Sequence, residues 1–116
     1  MQRDEGYLLD MLLAARTVHE YTAGVTDEDF STNGMLRDAV MRQIQIIGEA
    51  ARCVSRPFRD AHPEIPWQDI IGMRHRLVHH YFRIQVTLVW DTVCRDVPDL
   101  IRLLEPLVPP DEEDEA

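Results

Sequence analysis

At 116 residues the chain is sized for one domain with a single modest core, and 45% apolar with 28% charged residues is a globular balance. No apolar run approaches the ~20 residues of a membrane span, and the acidic start MQRDEGYLLD does not read as a signal peptide, so a cytoplasmic location is expected. Twelve basic against 21 acidic residues give a net charge of −9, which excludes a whole-surface electrostatic grip on nucleic acid by an isolated subunit.

The apolar pattern is helical almost throughout. Tyr7, Leu8, Met11, Leu12, Ala15 and Val18 recur at helical spacing and predict an amphipathic helix over about Asp4 to Tyr21. Gly24 marks its end, and Asp27 to Phe30 reads as a short helical turn. Asn33 is placed to cap the longest helix, whose stripe runs from Leu36 through Ile44, Ile47 and Ala51 to Val54, reaching about Ser55. Gly48, Ala50 and Ala51 are small enough for another helix to approach closely. Pro57, Pro63 and Pro66 punctuate a connector. A third helix starts near Pro66 or Trp67 and runs to about His80. After a break near Phe82 to Gln85, a fourth covers roughly Gln85 to Glu105, kinked or divided by Pro98. Five acids in Asp111 to Glu115 form a solvated tail.

These elements predict an all-α protein, an antiparallel bundle of four to five helices over residues 1–108 with an acidic disordered tail at 109–116. Cys53 and Cys94 show neither CxxC nor His spacing and read as reduced, buried thiols. Tyr7, Met11, Met35, Met41, Trp67 and Trp90 could serve either the core or a subunit interface.

One stretch concentrates chemistry. Arg74 to Arg83 contains three arginines, three histidines and no acid. Histidine exchanges protons near neutral pH and arginine holds a phosphate bidentately. RNA cleavage without a metal needs such groups: a base for the 2′-hydroxyl, a cation for the phosphorane and an acid for the leaving 5′-oxygen. Arg74 and His79 are five residues apart, about 140° around a straight helix. Either the helix stops before His79, or the same segment of a second copy completes the site across a two-fold axis, and the two together are expected. Other readings stand beside this one. His75 and His79 have the four-residue spacing of a zinc pair, but no carboxylate or cysteine stands nearby as a third ligand, so no metal or cofactor is expected. Arg74 and His79 could also pair with acids on neighbouring helices, and on spacing alone such ion pairs are commoner than active sites.

The phrase Met73-Arg74-x-x-Leu77-Val78-His79-x-Tyr81-Phe82 resembles the Arg-x4-His-x-Tyr signature of HepT-type ribonuclease toxins of the HEPN superfamily. Tyr7-Leu-Leu-Asp10, Ile46-Ile-Gly-Glu-Ala50, His62-Pro-Glu-Ile-Pro-Trp67 and Leu88-Val-Trp90 agree in order and spacing, so the resemblance spans about residues 4–105. It implies a homodimeric, metal-independent endoribonuclease, the toxin of a type VII toxin–antitoxin module. Arg74 and His79 would be catalytic in an intersubunit cleft, and His75, Arg76 and His80 would contact substrate RNA. Tyr81 would be adenylylated by a minimal nucleotidyltransferase antitoxin. His75 and His80 depart from the residues commonly found at those two places. The alternative is a non-catalytic helical dimer that binds RNA or nucleotide and partners the nucleotidyltransferase.

Overall fold

In the computed structural model, residues 3–79 and 86–109 are described, with the side chains of 74–79 excepted. The predicted break at Phe82 to Gln85, the tail beyond Pro109, and His80 and Tyr81 lie outside the described residues.

Helix α1 (Arg3–Tyr21) buries Leu8, Met11, Leu12, Ala15 and Val18 on the predicted face. Gly24, at φ 74°, takes the left-handed turn that follows, where a side chain would be strained. Thr26 and Asp29 form a reciprocal capping box for α2 (Asp27–Thr32). Phe30, fully buried, is the one anchor of this short helix and packs against Trp90 with ring centroids 4.8 Å apart. The α2 carbonyls of Phe30 and Ser31 both accept from the Arg37 guanidinium, at 3.1 and 2.7 Å, which satisfies groups the helix end leaves free.

Helix α3 (Gly34–Cys53) begins as expected at Asn33, whose side chain accepts from the Leu36 amide. It is the central rod: α1 and α5 both pack on it, where Gly48, Ala50 and Ala51 are buried. Its end is tied to the start of α1. The Ser55 amide donates to Asp4 at 2.9 Å and the Ser55 hydroxyl donates to the same carboxylate at 2.7 Å, so α1 and α3 run antiparallel. These two bonds to Ser55 hold the Asp4 carboxyl below its ordinary pKa.

Within the proline-marked connector lies a further helix, α4 (Arg56–Ala61), with Ser55 as its cap and Pro57 in its first turn. Helix α5 (Trp67–His79) follows, and α6 (Val86–Asp91) leads into a π-helical turn, Thr92–Asp96, then α7 (Val97–Leu104) and a 3₁₀ turn, Glu105–Leu107. The Val97 amide donates to the Thr92 carbonyl, five residues back. That extra residue absorbs Pro98, which sits in the first turn of α7, so proline divides the predicted fourth helix without removing a needed donor. The described residues contain helices and no strand, the all-α bundle that the periodicity predicts, with α4 and the π turn as additions.

Both cysteines are exposed, not buried. Cys53 lies beyond Ala51, the last buried residue of α3, and Cys94 lies in the π turn between buried Val93 and Val97. Met11, Met41 and Trp67 are core residues, whereas Met35 is 85% exposed.

Candidate functional site

Helix α5 carries the unusual stretch, and its first half explains how it is held. Trp67 and Met73 are buried and Ile70 is packed against the same core. Trp67 donates from Nε1 to the His62 carbonyl at 3.0 Å and meets Phe58 edge to face. His62 in turn stacks on Phe58 at 4.3 Å and pairs with Glu64 through Nδ1 at 3.2 Å. The phrase His62 to Trp67 is therefore a clasp that fixes where α5 starts.

Arg74, His75, Arg76 and His79 all lie on this helix, which is continuous through His79. The alternative in which the helix stops before His79 is not what the backbone does. Arg74 and His79 thus remain about 140° apart around the axis and about 7.5 Å apart along it. One copy of α5 does not converge these two positions.

Two cavities border α5. The larger, about 500 Å³, has a floor built from Ile44, Ile47, Ile70, Met73 and Leu100, and Asp69, Asp96 and Asp99 among its lining residues. Burial, then the neighbouring Asp99 charge, pushes the Asp96 carboxyl above its ordinary pKa. The smaller, about 400 Å³, is lined by Arg56, Arg59, Asp60, Trp67, Gln68 and Asp69. No motif marks Arg56 and Arg59 in the sequence, although Ala50 to Arg59 is a second acid-free stretch with three arginines. Among the described residues no three His, Cys, Asp or Glu side chains are grouped to hold a metal ion, and the motif histidines fall outside that set. No described helix is long and apolar enough to cross a membrane.

Residues 11–107 match the family described as Ribonuclease HepT-like. A protein of Methanocaldococcus jannaschii named "Putative RNase MJ1380" is 39% identical over 101 residues, covering 87% of this chain and 93% of its own. One of Thermococcus cleftensis named "Probable ribonuclease HepT" is 39% identical over 94 residues, covering 81% and 86%. A third, "Putative RNase TTE0752" of Caldanaerobacter subterraneus, is 34% identical over 100 residues, covering 86% and 89%. No solved structure matches the chain. Because the matched span takes in the clasp, the whole of α5 and the rod from α6 through α7, the chain belongs to the HepT-like ribonuclease family.

Proposed function

We propose that this chain is an endoribonuclease that cuts RNA without a metal ion, in a cleft between two copies of itself. Arg74 stabilises the scissile phosphate, His79 moves a proton, and His75, Arg76 and His80 contact the RNA. The observation that carries the reading is the unbroken α5. With Arg74 and His79 diverging on one chain, a two-fold axis beside α5 supplies the convergence, setting Arg74 against the partner's His79.

The chemistry follows from the groups. A base removes the proton of the 2′-hydroxyl, and the 2′-oxygen attacks phosphorus. The bond to the 5′-oxygen breaks as an acid protonates it, leaving a 2′,3′-cyclic phosphate and a 5′-hydroxyl. An imidazole suits either proton transfer at neutral pH. A guanidinium fork matches the charge that develops on the phosphorane oxygens.

The chain is further proposed as the toxin of a toxin–antitoxin module. A nucleotidyltransferase antitoxin would transfer AMP from ATP to the Tyr81 hydroxyl, with release of pyrophosphate. The added phosphodiester carries negative charge, which opposes RNA by repulsion and by occupancy. Support for this part comes from the Arg-x4-His-x-Tyr spacing at Arg74, His79 and Tyr81.

Arg74→Ala and His79→Ala are each expected to abolish cleavage of single-stranded RNA while leaving thermal melting unchanged. A double variant that cuts as fast as the parent contradicts the assignment. Intact mass after incubation with the antitoxin and ATP is expected to rise by one AMP, and not to rise in Tyr81→Phe.

A further inference from the structure

The cavity between α4 and the start of α5 is lined by two arginines, Arg56 and Arg59. None of the ion pairs among the described residues involves Arg56 or Arg59, although Asp60 and Asp69 line the same cavity. The Nε of Arg59 is buried with no hydrogen-bond acceptor. A buried donor left unpaired is uncommon and calls for an explanation. A guanidinium fork holds a phosphate through two of its nitrogens, and both arginines line the cavity.

The position fits as well as the chemistry. Trp67, Gln68 and Asp69 line the cavity. Each is seven residues before Arg74, His75 and Arg76 respectively, so every lining position of α5 has one of these residues two turns further along the same line of the helix. They are about 10 Å apart along its axis. The Trp67 amide donates to the Ile65 carbonyl at 2.8 Å, and the positive end of the α5 dipole favours an anion at this end of the helix. All 12 basic residues of the chain are arginine. Six of them fall in the two acid-free stretches, Ala50 to Arg59 and Arg74 to Arg83, which the cavity and the motif respectively occupy. In a chain of net charge −9, this is where a polyanion meets the least repulsion.

We infer that the Arg56–Arg59 cavity is a phosphate subsite that holds the RNA backbone at a nucleotide away from the cut. Asp60 and Asp69 accept hydrogen bonds only, and suit the ribose hydroxyls that flank that phosphate. They also cancel much of the local charge, so the cavity grips a phosphate delivered on a chain and not inorganic phosphate alone. The inference rests on the ribonuclease reading, and its test separates the two.

The experiment uses a fluorescently labelled single-stranded RNA of about 12 nucleotides, long enough to reach from motif to cavity. Cleavage kinetics and anisotropy titrations over a salt series are recorded for the full chain and for Arg56→Gln/Arg59→Gln. The expected result is a KM raised about tenfold with kcat held within about twofold, that is, about 1.4 kcal/mol of uniform binding lost. The logarithmic salt slope becomes shallower by about 0.7, the share of one phosphate on a single strand. Unchanged KM and unchanged slope overturn the subsite while leaving the ribonuclease reading intact. A parent that binds this RNA with the steeper slope but never cuts it supports the subsite and contradicts the ribonuclease reading. If melting shows the double variant unfolded, Arg56→Gln alone decides, because Arg56 is exposed on α4 and carries no core packing; a KM raised about threefold supports the subsite and an unchanged KM overturns it.

Discussion

The two cavities share Asp69, Pro63 and Pro66 on their rims, yet they differ in almost everything else. One is a groove floored by the core itself and edged with carboxylates. The other is an open hollow beside a six-residue helix that carries two arginines without ion pairs. The difference shows how an acidic chain can divide its surface: carboxylates alone edge the groove floored by the core, while arginines without ion pairs stand among carboxylates where the motif-bearing helix starts.

The comparison breaks most visibly in the core. Ile47→Ala removes a side chain that is 4% exposed and floors the acidic groove. It is expected to destabilise by about 2–5 kcal/mol in urea titration while leaving the salt slope of RNA binding where it was. A changed slope with unchanged stability would mean that the groove, not the arginine cavity, holds RNA. Trp67→Phe is expected to cost less, about 1 kcal/mol, by removing one of the two donors to the His62 carbonyl at the root of α5, the Ile65 amide remaining.

Two carboxylates sharpen the same contrast through pH. Asp96 has a raised pKa in the fold, so the folded state binds its proton more readily than the unfolded chain does. Its charge therefore opposes folding at neutral pH, and stability is recovered as pH falls through the raised value. Asp96→Asn is expected to raise the melting temperature at pH 7, by less than about 1 kcal/mol given its partial exposure, with the gain fading in acid. Asp4 has the opposite sign. Its pKa is lowered from 3.8 by the two bonds from Ser55, so its contribution is present above that value and is lost as pH falls through the lower folded one. Asp4→Ala is expected to lower the melting temperature slightly at pH 7 and by progressively less as the pH falls below 3.8. An effect that does not change with pH would show that packing, and not the carboxylate charge, ties α1 to α3.

Much of this fold can be read from the chain because the signals are periodic. The stripes of α1 and α3, the Asn33 cap and the division at Pro98 all follow from spacing and from proline's missing donor. Helix α4 is hidden because it is too short for a stripe, and Pro57, which looks like punctuation, is its first turn. The π turn is hidden because one inserted residue has no signature in composition; it also accounts for Cys94 facing out. At the site, the motif residues stand out by chemistry crowded into one stretch. Arg56 and Arg59 do not, since their meaning depends on Trp67 and Gln68 closing the cavity from another helix, which no local spacing encodes.

The central claim is that Arg74 of one copy works with the partner's His79. Mixing Arg74→Ala with His79→Ala, after unfolding and refolding the two together, tests it most directly. Neither variant alone should cut RNA. If they exchange freely, half the dimers are mixed and each mixed dimer holds one intact arginine–histidine pair, so about a quarter of parental activity returns. A refolded mixture of dimers that stays as inactive as its components would contradict the account.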